Sequence, residues 1–400
     1  MTASTTRPSA GHQYLDDVLE LLWPGHQRTS RPGSRGLVKL PPGQPRLLLP
    51  RRPNRVAAAA LRNYNTAAVG VRAGRIALGA AALRCGIGSL MADGLVRGEV
   101  AIEDELAARL GHEVFVGVYI GPPRVAQKPV LQVLDRQGNT RAFAKISVNE
   151  HTAGLVEHEI ETLRSLAALD LTLLRVPRIL HEGHWHGHRL LVQEAIANRR
   201  CAPAVDSVRA SASRELFESW GSWRRPIADS AFAGRVLERV RALPDNRLAG
   251  RLREAVGAAV EWTGRTELAF GAAHGDWVPW NMTAQGARLD VWDWEGFAAD
   301  VPFGFDELHW RVNQAVVIDG QHPLGGVPAV TGAAGAFLGR AGMDEEEARA
   351  TALWYVLDLA TRYAAEGEDV IGGTRLSRLD AWAVPALVTL LRAVMPSSLR

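Results

Sequence analysis

The chain has 400 residues, 47% of them apolar and 22% charged, which is the composition of an ordinary soluble globular protein with room for two or three modest units. Its two cysteines, Cys85 and Cys201, form no CxxC pair and no ligand cluster, so neither a structural zinc nor a disulfide framework is expected. The formal net charge is +3. Before residue 80 the bases, from Arg7 to Arg75, face only the acids Asp16, Asp17 and Glu20. No aromatic residues interleave with these arginines as a single-strand-binding platform needs, and no nucleic-acid partner is expected.

No uncharged apolar run reaches the roughly 18 to 20 residues that span a bilayer. The Ala-rich stretch from Val56 to Leu90 is interrupted by Arg62, Arg72, Arg75 and Arg84. The first residues lack a basic region followed by an apolar core, so no secretory signal is expected. A cytoplasmic location fits the cysteine usage.

In chain order, Leu15, Val18, Leu19 and Leu22 predict a short amphipathic helix over Tyr14–Trp23. A Pro/Gly-rich connector follows from Pro24 to Pro45, then a short apolar run, Leu47–Leu49, and an Ala-rich helix near Val56–Tyr64. IEDELAARLG reads as a helix ending at Gly111. VFVGVYIG, VLQVLD and AFAKISV alternate apolar residues and predict a three-stranded antiparallel meander, with the turn RQGN between the last two. Residues 156–168 place Val156, Ile160, Leu163 and Leu166 on one helical face. Two strands follow, around residues 178–179 and 189–193. From about residue 199 helical periodicity dominates, at 230–242, 247–262, 344–365 and 376–394.

Between those helices lies HGDWVPWNM, then eight residues, then VWDWEGF, a loop leading into a short β-ribbon. Asp276 and Asn281 are five positions apart. In the catalytic loop of kinases that spacing lets an Asp carboxylate face the acceptor hydroxyl while an Asn amide oxygen binds metal. Asp293 follows Asn281 by twelve residues, with Val291 and Trp292 predicting a strand end that presents its carboxylate to the same ion. Mg²⁺ prefers one or two carboxylates with phosphate oxygens and water, so one Asn and one Asp suffice. Alone, Asp276 would read as a helix cap and Asn281 as a turn residue. Lys145 sits inside the apolar strand AFAKI, and Glu159 on the next helix is placed to pair with it; Glu157 and Glu161, two positions away, face elsewhere. Trp277, Trp280, Trp292 and Trp294 crowd these segments, as packing beneath the loop or as surfaces for a sugar ring.

Together HGDWVPWNM, VWDWEGF, AFAKI and EIETLRSL resemble the aminoglycoside phosphotransferase and choline kinase superfamily, over about residues 100–365. The resemblance implies an α+β, bilobal protein-kinase-like fold: a small antiparallel-sheet nucleotide-binding lobe at 101–196 and a mainly helical lobe at 197–400. Residues 1–100 are left as an extension of unknown role. It implies Asp276 as catalytic base, Asn281 and Asp293 as magnesium ligands, Lys145 with Glu159 as the phosphate clamp, and His274 as a structural brace. Asp306, in VPFGFDELHW, resembles the family's buried Asp that fixes the catalytic loop; an N-cap for the helix starting at Glu307 is the equal alternative. LLVQEAI resembles the hinge, where backbone groups of Glu194 and Ile196 would meet adenine.

One departure stands out. The loop after the first meander strand runs from Gly121 to Pro129 and carries Pro122, Pro123 and Pro129, which have no N–H to offer a phosphate. Arg124 and Lys128 are then the candidates to supply charge instead. The expectation is an ATP- and Mg²⁺-dependent phosphotransferase acting on a small-molecule hydroxyl of a sugar, aminoglycoside or amino alcohol. A catalytically weak kinase-fold binding protein is the alternative, and a metal hydrolase fails for want of a second histidine at ligand spacing to His274.

Overall fold

The computed structural model describes residues 10–28, 36–41, 45–63, 70–88, 92–96, 100–121, 124–196, 206–367, 369 and 375–395. Pro122, Pro123 and Cys201 lie outside them, so the bare-backbone question raised by the two prolines is not answered there. The chain divides into two compact units: residues 1–164 with 177–200, and residues 165–176 with 201–400.

The first unit is built on an antiparallel sheet. Its strands are β1 (Gln27–Arg28), β2 (Gly36–Leu40), β3 (Leu47–Pro50), β4 (Ala92–Val96), β5 (Phe115–Tyr119), β6 (Val130–Leu134) and β7 (Thr140–Ile146). Two later strands, Ile179–Trp185 and His188–Glu194, complete the order. The expected meander is β5-β6-β7, with Val118 opposite Leu131 and Leu131 opposite Ala144.

The Pro/Gly-rich connector departs from expectation. It contains β1 and β2, and β2 pairs with β3, which in turn pairs with β5 through Leu47–Tyr119 and Leu48–Val118. The first hundred residues therefore extend the sheet of the first unit. Helix α1 (Ala10–Leu22) buries Val18, Leu19 and Leu22 in the same core as Val116, Val118 and Leu131, as its 3.6-residue spacing predicts. Two indole N–H groups reinforce that packing: Trp23 donates to Glu103 at 2.8 Å and Trp185 to the Leu21 carbonyl at 2.7 Å. Helix α2 (Asn54–Asn63) covers the other side with Val56 to Ala60. A helix not expected from the sequence, α3 (Gly70–Arg84), packs with it. Helix α4 (Ile102–Leu110) stops at Gly111, whose left-handed backbone (φ 75°) returns its N–H to Ala107.

The second unit is mainly helical. Helices α6 (Asp206–Ser219), α7 (Ala231–Ala242), α8 (Arg247–Thr263), α9 (Phe305–Asn313), α11 (Glu345–Ala365) and α12 (Leu379–Val394) surround a core that includes Phe232, Phe270, Trp354 and Trp382. Asp344 and Glu347 form a capping box at the start of α11. Within this core the strand Glu267–Ala273 delivers the chain to His274, and the ribbon Met282–Gln285 with Arg288–Val291 delivers it to Asp293.

Candidate active site

In the first unit, Lys145 on β7 and Glu159 on the following helix, α5 (Glu150–Ala167), form an ion pair with Nζ 2.6 Å from Oε2. Their side chains are 5% and 0% exposed, so neither snorkels to solvent. Two charges taken out of water persist only when paired and hydrogen-bonded, and such a pair is a weak source of net stability. Glu157 turns to Arg189 instead, which holds its carboxyl below the usual range through a hydrogen bond and charge. Arg124 is exposed and lines a pocket with Asp17 and Glu20 of α1, while Lys128 is buried. Glu194 ends its strand, its carboxylate meeting Arg178 and its N–H taken by the Arg178 carbonyl; Ile196 is buried beside it.

In the second unit the two motifs form one piece. Asp306 accepts from the backbone N–H of His274 at 2.9 Å and of Gly275 at 3.0 Å. The alternative role, capping α9, is not taken: Asp306 lies inside the helix, and the position before it is Gly304. Burial pushes the Asp306 carboxyl up, against the pull of those two amides and of His274. His274 accepts the Asp276 N–H at Nδ1 (3.2 Å), so its Nε2–H is the donor to the Trp292 carbonyl at 3.1 Å. The imidazole thereby joins the HGD loop to the residue before Asp293. Asn281 makes a second join, accepting the Trp292 N–H at its carbonyl (3.0 Å).

Glycine is required at the centre of this arrangement. Gly275 has φ +82°, and a Cβ there would lie 1.9 Å from the Gly296 carbonyl oxygen. Asp293 adopts φ 72°, ψ 59°, left-handed backbone that a residue with a side chain rarely holds unless its surroundings impose it. Trp277 and Trp294 are buried against His274, which answers two of the four tryptophans as packing; Trp280 is 37% exposed.

Asp276 itself is held at both oxygens. Asn281 Nδ2 donates to Oδ2 at 2.9 Å, and His309 Nε2 lies 3.2 Å from Oδ1. His309 in turn meets the Tyr355 hydroxyl at Nδ1, 3.1 Å away. Burial pushes the Asp276 carboxyl up and the nearby Asp293 charge adds to that, but the hydrogen bond and charge of His309 prevail and hold it below its ordinary range. Burial raises the Tyr355 hydroxyl well above its own. Sequence reasoning missed His309 and Tyr355. The only sequence signal for His309 is its position one helical turn after Asp306 on α9, and Tyr355 comes from α11.

No family model matches the chain, and no curated protein matches it. Solved structures do. A thermostable variant of the aminoglycoside phosphotransferase APH(4)-Ia, in ternary complex with ADP and hygromycin B, superposes with a TM-score of 0.52 at 13% identity, covering 74% of this chain and 100% of its own. A second variant of that enzyme, with AMP-PNP and hygromycin B, gives 0.51 at 14% identity, covering 74% and 99%. The spectinomycin phosphotransferase APH(9)-Ia, in complex with ADP and spectinomycin, gives 0.42 at 12%, covering 73% and 97%. The chain therefore has the kinase-like α+β fold of the aminoglycoside phosphotransferases.

Proposed function

We propose that this chain is an ATP- and Mg²⁺-dependent phosphotransferase that moves the γ-phosphoryl group to a hydroxyl of a small molecule. The observation that carries the proposal is the Asp276 carboxylate, oriented at both oxygens and fixed by Asp306 and His274 to the segment bearing Asp293. The ADP and AMP-PNP complexes of the neighbours fit this reading.

The residues suit a magnesium ion. Asn281 turns its amide N–H₂ to Asp276, leaving its amide oxygen without a protein partner among the described residues. Asp293 and Asp276 are close enough for the charge of one to raise the other's carboxyl, a repulsion that a divalent cation offsets. Asn281 and Asp293 would hold the ion, whose charge offsets that developing on the β- and γ-phosphates.

Asp276 accepts the acceptor's hydroxyl hydrogen bond. The bond from acceptor oxygen to γ-phosphorus forms as the bond from that phosphorus to the β,γ-bridging oxygen breaks, ADP leaves, and the hydroxyl proton passes to Asp276 and on to solvent. A lowered carboxyl pKa makes Asp276 a weak base, which suits a loose transition state in which the proton moves late. His309 and Asn281 keep its lone pairs aimed. Lys145, held by Glu159, supplies a fixed positive charge for phosphate oxygens, and backbone groups of Glu194 and Ile196 meet the adenine.

Two variants test this. Asp276→Ala should lower ATP turnover by about 10²- to 10⁴-fold, the usual worth of a positioned acid–base group, while Mg²⁺·ATP still raises the melting temperature. Asp293→Ala should lose that Mg²⁺-dependent rise. Thermal stabilisation by Mg²⁺·ATP without turnover on any hydroxyl compound would favour the catalytically weak binding protein instead.

A further inference from the structure

The second unit contains a cavity of about 100 Å³ beside the catalytic loop, walled by Gly275, Gly296 and His309 and floored by Phe232 and Phe305. Three guanidinium groups line it: Arg235 and Arg239 from α7, and Arg362 from α11. One carboxylate serves two of them. Asp358 Oδ1 accepts a hydrogen bond from Arg239 Nη1 at 2.9 Å, and its Oδ2 stands 3.1 Å from Arg362 Nε, an ion pair without hydrogen-bond geometry. Every hydrogen bond of Arg239, to Asp358 and to Thr361, leaves from Nη1. Arg239 Nη2 and Nε and the three nitrogens of Arg362 make no hydrogen bond among the described residues, though the Asp358 and Glu366 charges act on Arg362. Arg235 is half-exposed; its Nη2 donates to the Asp300 carbonyl, and its Nη1 stands 3.8 Å from the Asp300 carboxylate. The other lining acid, Asp306, has its two oxygens engaged by the loop amides.

We infer that this cavity receives an anionic group of the acceptor, a carboxylate or a phosphate ester, bound by Arg239 and Arg362 with Arg235 at its side. The inference rests on the phosphotransferase reading and names its substrate class. Guanidinium groups present paired N–H donors that match the two oxygens of such an anion, and charge-assisted bonds of this kind are about twice as strong as neutral ones. A polycation such as an aminoglycoside would meet like charge here, and the acidic run Asp344–Glu347 that could have welcomed it caps a helix. His309 lines the cavity while its Nε2 lies 3.2 Å from Asp276, so the seat of the anion is one imidazole away from the base that takes the hydroxyl.

ADP release by the full chain with Mg²⁺·ATP should be measured on matched acceptor sets: hydroxy acids (glycerate, gluconate), a phosphate ester (glucose 6-phosphate), neutral polyols (glycerol, glucose) and cations (ethanolamine, kanamycin). One anionic set should exceed the neutral and cationic sets at least tenfold in kcat/KM, and which one does so separates carboxylate from phosphate. Arg239→Gln and Arg362→Gln should raise KM for that acceptor at least tenfold, with stabilisation by Mg²⁺·ATP unchanged. Best turnover on a neutral or cationic acceptor, unaffected by these variants, overturns the inference and leaves the phosphotransferase standing. If no set turns over, titration with inorganic sulfate decides: a rise in melting temperature lost in Arg239→Gln keeps the anion seat while the enzyme reading falls, and no rise overturns the seat. Should the two inner variants fail to fold, Arg235→Gln, on a half-exposed side chain, carries both measurements.

Discussion

Lys145 and Glu159 are a buried pair in which each charge offsets the other. Removing one partner leaves an uncompensated charge, which costs about 3 to 5 kcal/mol, whereas replacing both with apolar residues of similar volume is often neutral or stabilising. Lys145→Met and Glu159→Leu should therefore each lower the urea midpoint, and the double variant should recover most of that loss. Phosphoryl transfer should stay lost in all three, because the proposed role needs both the ammonium and the carboxylate that holds it in place. A double variant with restored turnover would reduce the pair to packing. The sequence indicated this pair through its order before HGD and through helical geometry that turned Glu157 away. It gave no such indication for Arg239 or Arg362, whose meeting at Asp358 joins helices more than a hundred residues apart.

Among the elements, the segment at residues 172–174 pairs with the strand Arg288–Val291 and is capped by one side chain. Glu215 of α6 accepts the N–H groups of Thr172, Leu173 and Leu174 and the Thr172 hydroxyl. Burial pushes its carboxyl up, but these donors outweigh burial and hold it below its ordinary value. A carboxyl depressed in the folded state contributes stability that is present above its unfolded pKa, about 4.3, and is lost as pH falls through the folded value. Glu215→Gln should be less stable than the parent at pH 7, and the gap should close as pH falls below about 4, as read from urea midpoints at several pH values. A gap independent of pH would show that the carboxylate charge is not what holds the segment. Elements with strong periodicity were legible in the sequence: the meander, α1, and the long helices of the second unit all lie within a few residues of expectation. Strand β2 was not, because proline and glycine flank a run of only five residues. Nor was α3, whose glycines and scattered arginines leave little amphipathic contrast. The HGD loop stood out because the chemistry expected of it demands fixed residue types at fixed spacing. His309 and Tyr355 were not, since nothing in the spacing of two helices records which faces will meet.

At the scale of the whole chain, the resemblance that covers residues 100–365 left the first hundred without a role, yet β3 pairs with β5 and α1 shares a core with Val116 and Val118. A chain shortened to residues 101–400 would expose the edge of β5 and the apolar face beneath α1. Unpaired edges and uncovered apolar surface promote association between chains. The shortened chain should be recovered aggregated, or should bind a hydrophobic dye and give no cooperative melting transition. A soluble product melting at the parent's temperature would show that the first hundred residues are dispensable to the sheet. Net charge, by contrast, informs solubility and partners but not fold.

The contact between Gly275 and Gly296 has a mechanical meaning as well as a steric one. A Cβ at Gly275 would strike the Gly296 carbonyl oxygen at 1.9 Å, whereas one at Gly296 would only press the His274 carbonyl at 3.3 Å, so the loop that carries Asp276 and the turn that follows Asp293 meet backbone to backbone. A side chain added at Gly275 would therefore disturb both motifs at once, Asp276 on one side and Asp293 on the other.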